Sequence, residues 1–181
     1  MTGVQTCALP ILLPTIAVIV PVRNGAASIH HLLASLVEQD TTVPWELIVV
    51  DNGSTDGSGA VAGAFLAAHQ GSSLVRTAVV RFDDVIGYAS PRNEGVRSAS
   101  APLLAFCDAD DTVATGWLDA IVAALSLHPL VGSSIEVMGS GEPSSVVVPT
   151  TFGIPVVHTC GLGCTRADRK STRLNSSHLG I

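Results

Sequence analysis

The feature that most constrains the fold of this chain is a series of short apolar runs, each followed by polar residues and then by a helical pattern. Four such runs predict buried strands, at residues 15–20 (TIAVIV), 46–50 (ELIVV), 74–81 (LVRTAVVR) and 102–107 (PLLAFC). Helices are predicted over residues 26–38, 58–70, 89–100 and 115–127, and two further strands over 131–138 and 145–148. Strands that alternate with helices at this spacing form βαβ units. The sequence therefore predicts an α/β domain with a mostly parallel central sheet.

The composition agrees with one packed domain and excludes several classes of protein. The 181 residues are 47% hydrophobic and 13% charged, which excludes a disordered chain. The formal net charge is −6 and the nine Lys and Arg residues are scattered, so nucleic acid is excluded as a partner. The four Cys residues have irregular spacing, which predicts neither a disulfide framework nor a zinc site. These features predict a cytoplasmic domain.

The two ends of the sequence have an unexpected relation to each other. Codons can be written for residues 1–11 (MTGVQTCALPI) whose reverse complement encodes residues 168–178 (DRKSTRLNSSH), and all the codons pair. The shared string is similar to a sequencing adapter read in both directions. We therefore expect residues 1–11 and 168–181 to be adapter-derived segments. Residues 12–167 are then expected to be a C-terminally truncated piece of a single native domain.

Polar clusters follow three of the four predicted strands. Arg23 and Asn24 follow the first strand, residues 51–54 (DNGS) follow the second, and residues 108–111 (DADD) follow the fourth. In open parallel sheets, ligands bind outside the carboxyl ends of the strands, so the three clusters are expected to line one crevice. Each cluster alone is also compatible with an ordinary turn, because these residue types are favoured in turns. Their conjunction favours a binding site.

The acidic cluster after the fourth strand predicts a cation site. Asp108 and Asp110 can point to the same side, because side chains alternate along an extended segment. Carboxylates this close repel one another unless a cation or a proton neutralises them. Oxygen ligands favour Mg²⁺ or Mn²⁺, and Mg²⁺ is typically held by one or two carboxylates together with substrate phosphates. The alternative is a solvated acidic loop that caps the next helix. Arg92 presents a planar fork that suits a phosphate, or it pairs with a nearby surface carboxylate.

Taken together, these segments resemble the family 2 glycosyltransferases of the GT-A fold. The resemblance rests on residues 18–24 (VIVPVRN), 48–58 (IVVDNGSTDGS) and 89–111 (ASPRNEGVRSASAPLLAFCDADD). Members of the family have a strand ending in Pro-x-Tyr-Asn, a strand ending in Asp-Asp/Asn-Gly-Ser-x-Asp, an Ala-Arg-Asn-x-Gly helix and Phe-x-Asp-Ala-Asp-Asp, in the same order. The resemblance implies a Rossmann-like, three-layer α/β sandwich that acts as a nucleotide-diphospho-sugar transferase.

The resemblance also implies roles for individual positions. Asp51 and Asn52 would contact the base and ribose, Arg92 would lie against the base or diphosphate, and Asp108 would approach the ribose. The implied nucleotide-sugar-binding residues are Pro21, Asn24, Asp51, Asn52, Ser54, Arg92, Asp108 and Ala109, with Asp110 as the ligand of Mg²⁺ or Mn²⁺. The sequence departs from the family where Val22-Arg23 stands in place of the commoner Thr-Tyr and Asn52 in place of a second Asp.

The residues expected to activate the acceptor are not among these motifs. Family members continue after a segment like residues 161–166 (GLGCTR) into Gly-Gly-Phe-Asp and an acidic pair, one member of which deprotonates the acceptor hydroxyl in an inverting displacement. The adapter-like segment begins before either motif, so we expect the general base beyond Ala167 and no turnover by this chain. The resemblance implies a carbohydrate or lipid-linked acceptor, such as a cell-envelope polysaccharide. It also implies that the full-length parent can associate with the inner face of the membrane.

Three other functions remain open from the residues alone. A non-catalytic nucleotide-sugar-binding relative would share every motif named above. A nucleotidyltransferase would have a Gly-rich loop with a basic residue after the first strand, and Arg23-Asn24-Gly25 supplies part of one. A phosphoacceptor signalling domain would use Asp51 at a strand end, but it needs an acidic pair after the first strand, which this sequence lacks.

Overall fold

The structure is a computed structural model that describes residues 12–69, 73–83, 89–133, 150–151, 154–155 and 161–167. The strands are β1 (Ile16–Val22), β2 (Trp45–Asp51), β3 (Leu74–Arg81), β4 (Leu103–Phe106), β5 (Leu130–Gly132), β6 (Thr150–Thr151), β7 (Ile154–Pro155) and β8 (Leu162–Thr165). The helices are α1 (Ile29–Val37), α2 (Ser58–Ala68), α3 (Ala89–Ser98) and α4 (Trp117–Leu125).

The main sheet has six strands in the order β3-β2-β1-β4-β8-β5. Strands β3, β2, β1 and β4 are parallel to one another. Strand β8 is antiparallel to β4, and β5 is antiparallel to β8. Strands β6 and β7 form a separate antiparallel pair. The predicted α/β class with a mostly parallel sheet is therefore confirmed, and β2, β1 and β4 lie side by side as their polar ends required.

Two apolar clusters, one on each face of the sheet, give the domain three layers. Alternate residues of β1 belong to opposite clusters: Ile16 and Val18 join the cluster that includes α1, α2 and α4, whereas Ala17 and Ile19 join the one that includes α3. Every residue of β2 is buried, as expected for a strand covered on both faces. Each fully buried Val, Leu or Ile side chain contributes about 1.5–3 kcal/mol to the free energy of folding. Among the described residues, no helix combines the length and the apolar character that a membrane crossing requires.

The C-terminal part of the sheet differs from the sequence-based expectation. Strand β8 was not predicted, yet it lies between β4 and β5 in the sheet. The strand expected over residues 131–138 is seen as β5, which ends at Gly132, and residues 134–138 and 145–148 lie outside the described part of the chain. A Cβ atom at Gly163 of β8 would lie 2.9 Å from both Ile121 Cγ2 and Val131 Cγ2, so this strand packs where a larger residue does not fit.

Two charged side chains anchor the segment between α3 and β4. Glu46 is fully buried on β2, and its Oε1 accepts hydrogen bonds from the backbone N–H groups of Ser100 (2.6 Å) and Ala101 (2.7 Å), while Oε2 pairs with Arg76 (2.5 Å). Burial alone would raise the pKa of Glu46, but these hydrogen bonds from Ala101, Arg76 and Ser100 outweigh it and hold the pKa below its ordinary value. From the end of β8, Arg166 donates to three backbone carbonyl oxygens at the end of α3 and just beyond it.

Candidate functional site

A cavity of about 670 Å³ opens at the carboxyl ends of β1, β2 and β4. This is the edge at which the three polar clusters of the sequence were expected to meet. Its lining residues are Pro21, Val22, Arg23, Asn24, Gly25, Ser28, Asn52, Pro91, Arg92, Asp108, Ala109 and Asp110. Seven of the nine residues predicted from the sequence are in this lining, and Asp51 and Ser54 are not.

The loops after β1 and β2 are joined by hydrogen bonds into one wall of the cavity. Asn24 has a positive φ of 53°, a conformation that Asn tolerates better than most residues. Its backbone N–H donates to Ser54 Oγ (3.0 Å), and its side-chain Oδ1 accepts from the backbone N–H of Thr55 (2.9 Å). The next N–H, that of Gly25, donates to Ser58 Oγ (2.9 Å). The predicted residues Asn24 and Ser54 therefore hold the two loops together.

The carboxylate of Asp51 is buried behind this wall rather than in the cavity. Its Oδ1 accepts a hydrogen bond from the backbone N–H of Ser54 (2.9 Å), and its Oδ2 accepts one from Arg81 Nη1 (3.0 Å). Gly59 covers the carboxylate so closely that a Cβ there would lie 2.5 Å from Oδ2. Asp51 therefore shapes the loop that follows β2.

Arg81 is a contributor to the site that the sequence analysis missed. It lies at the carboxyl end of β3, and besides Asp51 it binds the backbone oxygen of Ser54 (3.0 Å) and Asp83 Oδ1 (2.7 Å). The available signal was its position, because β3 is the neighbour of β2 and its last residue faces the same edge of the sheet. The sequence has polar clusters after β1, β2 and β4, whereas the polar end of β3 consists of Arg81 and was not considered.

Asn52 presents an unsatisfied acceptor at the cavity. The residue is 9% exposed and its backbone N–H donates to Val22 O (2.8 Å), which fixes it beside β1. Its side-chain Oδ1 is buried and accepts no hydrogen bond from the described residues. A buried polar atom without a partner is costly, and a donor group brought by a ligand within reach of this oxygen would remove that cost.

Arg92 and Asp108 form an ion pair across the opposite wall. Arg92 lies on α3 with its side chain 11% exposed, and its Nη2 donates to Asp108 Oδ1, just after β4. Pairing of Arg92 with a surface carboxylate was the open alternative, but the acid it pairs with lines the cavity. Glu94, its neighbour on the same helix, pairs instead with Arg97 (2.5 Å).

The remaining acids of the cluster fit a divalent cation held jointly with a ligand. Asp110 lines the cavity, is exposed, and makes no hydrogen bond or ion pair with the described residues. Burial raises the pKa of Asp111, and the charges of Asp108 and Asp110 raise it further. The described part of the chain has no group of three or more His, Cys, Asp or Glu side chains that could hold a metal ion alone. One free carboxylate with room for phosphate oxygens is the donor set that Mg²⁺ commonly uses.

The fold and this site together define a class of α/β proteins with a ligand cleft outside the carboxyl ends of parallel strands. Comparison with known proteins defines the family. Residues 17–157 match the family described as "Glycosyl transferase family 2". The chain therefore belongs to glycosyltransferase family 2.

A curated relative agrees with this assignment, and two solved structures share the fold. Glycosyltransferase AglE of Haloferax volcanii is 34% identical over 129 residues, which is 68% of this chain and 40% of AglE. The structure of the mannosyltransferase PcManGT from Pyrobaculum calidifontis with GDP-Man and Mn²⁺ matches with a TM-score of 0.70 and 23% identity, over 90% of this chain and 47% of PcManGT. The structure of S. aureus TarS with UDP-GlcNAc matches with a TM-score of 0.65 and 24% identity, over 88% of this chain and 48% of the TarS chain. The fold is therefore that of the GT-A glycosyltransferases, and the chain spans less than half of each of these proteins.

Proposed function

We propose that this chain is the donor-binding part of a glycosyltransferase that takes a sugar from a nucleoside-diphospho-sugar. The observation that carries the proposal is that a buried acceptor and a carboxylate, both without partners among the described residues, lie in one cavity of a family 2 domain. Asn52 Oδ1 is a buried acceptor at the end of β2, and Asp110 is an unpaired carboxylate beyond the end of β4. A nucleotide diphosphate with a divalent cation would satisfy both, because it has base N–H donors at one end and metal-binding phosphates at the other.

In this proposal each wall of the cavity has its own task. Asn52 hydrogen-bonds the base, and Pro21, Asn24 and Ala109 shape the floor on which the ribose and diphosphate lie. Arg92 fixes the orientation of Asp108, which accepts a hydrogen bond from the ribose. The family resemblance implies that Asp51 and Ser54 contact the nucleotide. In this proposal they instead affect its binding indirectly, because their hydrogen bonds hold the loops after β1 and β2 in place.

Asp110 would hold Mg²⁺ or Mn²⁺ together with the diphosphate. A bound divalent ion offsets the negative charge that develops on the departing nucleoside diphosphate. Two structural relatives support this choice of ligand, since TarS was solved with UDP-GlcNAc and PcManGT with GDP-Man and Mn²⁺. The two donors carry different bases, so the choice between uracil and guanine is left to the binding assay.

We further propose that the 181-residue chain binds the donor without transferring its sugar. The expected general base belongs to motifs that follow a segment like residues 161–166, and the acceptor is proposed to be a carbohydrate or a lipid-linked glycan of the cell envelope. The transfer is proposed to be inverting and cytoplasmic, at the inner face of the membrane in the full-length parent. A phosphoacceptor role for Asp51 is disfavoured, because both of its oxygens are engaged and the residue is 5% exposed.

Calorimetric titration of the purified chain with UDP and with GDP tests the proposal, with Mn²⁺ and then with EDTA. We expect one of the two diphosphates to bind in Mn²⁺ and to lose affinity in EDTA. Asp110→Asn is expected to weaken Mn²⁺-dependent binding at least about tenfold, the scale of one lost charge-assisted contact. Asp40→Asn is the matched control, because Asp40 is an exposed acid outside the cavity lining. Binding of neither diphosphate, or equal binding by Asp110→Asn, would contradict the proposal.

A further inference from the structure

The arginines of the described residues divide into five that are engaged with the protein and one that is not. Arg76, Arg81, Arg92 and Arg97 pair with carboxylates, and Arg166 donates to three backbone carbonyl oxygens. Arg23 makes no hydrogen bond or ion pair within the part of the chain that the structure describes. This unpaired cation is exposed and lines the cavity.

The position of Arg23 places it between the two ends of the cavity. It directly follows β1, which lies between β2 and β4 in the sheet. Neighbouring strands are about 4.8 Å apart, so the end of β1, from which Arg23 extends, lies between the end of β2 before Asn52 and the end of β4 that leads to Asp110. A nucleotide bound with its base at Asn52 and its metal-bound diphosphate at Asp110 would therefore cross the end of β1 with its ribose, and the long side chain of Arg23 extends from that point into the same cavity.

We propose that Arg23 binds the diphosphate of the donor, an inference that rests on the proposed function. A guanidinium has five N–H donors and no acceptor, and none of these donors is used by the described residues. Phosphate oxygens match the planar fork in a bidentate manner. The other arginine in the lining, Arg92, is already paired with Asp108. The divalent ion would be bound to Asp110 as well as to the diphosphate, and so it would neutralise only part of the negative charge of the phosphates. Arg23 is the cation of the lining that is available for the rest.

A stacking role against the base is the competing assignment for the same side chain. When a guanidinium face stacks on a base, its N–H donors in the plane still need acceptors, such as the Ser54 O and two carboxylates that Arg81 has. No described acceptor holds the plane of Arg23. Its orientation is therefore left to a ligand rich in acceptors, which favours the diphosphate over the base.

The test compares Arg23→Ala, Arg23→Lys and Arg23→Tyr with the unchanged chain in calorimetric titrations. The probes are UDP, UMP and uridine, and GDP, GMP and guanosine, each with Mn²⁺. Arg97→Ala is the matched control, because it removes the same charge from an exposed residue outside the cavity lining. We expect Arg23→Ala and Arg23→Tyr to weaken diphosphate binding about tenfold, with nucleoside binding unchanged and Arg23→Lys intermediate. Rising salt is expected to reduce the difference in diphosphate affinity between Arg23→Ala and the unchanged chain, because salt screens the attraction between charges.

The outcomes separate this inference from the proposed function. If the unchanged chain binds neither diphosphate, the proposed function fails and the inference fails with it. If the unchanged chain binds a diphosphate and Arg23→Ala binds it equally well, the inference alone is overturned. The same holds if Arg97→Ala weakens diphosphate binding as much as Arg23→Ala does. If Arg23→Tyr binds the diphosphate normally while Arg23→Ala weakens nucleoside and diphosphate binding alike, the contact is with the base face, and the inference is again overturned.

Discussion

Replacing Glu46 with alanine is expected to be among the most destabilising single changes in this domain. The side chain is fully buried and accepts hydrogen bonds from two backbone N–H groups, from the Ser100 hydroxyl and from Arg76. Leaving a buried donor unsatisfied costs about 1–3 kcal/mol. With the N–H groups of Ser100 and Ala101 both unpaired, we expect Glu46→Ala to lower the free energy of unfolding by about 3–5 kcal/mol, the range for breaking a buried pair.

Glu46→Gln separates the hydrogen bonds from the charge. The amide oxygen can still accept from the N–H groups of Ser100 and Ala101, whereas the ion pair with Arg76 is lost. Because the Arg76 side chain is 43% exposed, water can solvate its charge. We therefore expect Glu46→Gln to cost about 1 kcal/mol, the difference between charged and neutral hydrogen bonds after screening.

The lowered pKa of Glu46 gives this comparison a pH dependence. A carboxyl whose pKa is lower in the folded state than its ordinary value of 4.5 stabilises the fold fully above that value. The stabilisation is lost as the pH falls through the lower, folded-state pKa. The unchanged chain should therefore lose more stability than Glu46→Gln below about pH 4.5.

Urea unfolding at pH 7 and at pH 4, followed by circular dichroism, measures these differences. Glu94→Gln is the control, since Glu94 forms an exposed-side pair with Arg97 within one helix and such pairs contribute about 0.3–0.5 kcal/mol. A loss below about 1 kcal/mol for Glu46→Ala would show that its backbone hydrogen bonds do not hold the segment between α3 and β4. Equal losses for Glu46→Ala and Glu46→Gln would show that the charge, and not the acceptor geometry, is what matters.

Two further predictions concern the packing of α3 and the loop after β2. Gly95→Ala should destabilise the domain by about 1–2 kcal/mol in urea unfolding, because the added Cβ would overlap Ile19 Cγ2. Gly63→Ala, where a Cβ meets no atom within 4 Å, should stabilise it by up to about 1 kcal/mol; loss of stability in both would refute the packing argument. Arg81→Ala should lower the melting temperature and weaken diphosphate binding, because Asp51 loses its partner in a buried position. Asp51→Asn added to Arg81→Ala should recover part of the melting temperature, and failure to do so would show that the unpaired charge is not the cause.

The elements that the sequence predicts well are those with strong local signals. The strands now seen as β1 to β4 are apolar runs bounded by polar or Pro residues. Helix α1 has the expected periodicity, with Ile29, Leu32, Leu33 and Leu36 buried. Their polar ends could be assigned to one edge, because parallel strands share that edge whatever their order. For this reason the three clusters meet at one cavity, and seven of the nine residues implied by the family resemblance line it.

The missed features depend on contacts between distant segments. Strand β8 has only four residues and contains Gly163, which is unfavourable in strands, but its position is fixed by tight packing against Ile121 and Val131. The direction of Asp51, away from the cavity, is likewise decided by Arg81 from the neighbouring strand. Neither partner is close in sequence, so no local pattern could reveal these arrangements.

The position of β8 has a consequence for how the chain folds as it is synthesised. In sheet order β8 lies between β4 and β5, although it is the last described strand to leave the ribosome. Segments made earlier can fold first during synthesis. Among the described strands β5 pairs with β8 alone, so this partner becomes available only after about 30 further residues have been made. During that interval β4 presents an open edge of unpaired backbone groups, the kind of edge that recruits strands from other chains. Slow translation between β5 and β8 would lengthen this exposure, so the speed of synthesis over that stretch bears directly on how much nascent chain is lost to aggregation.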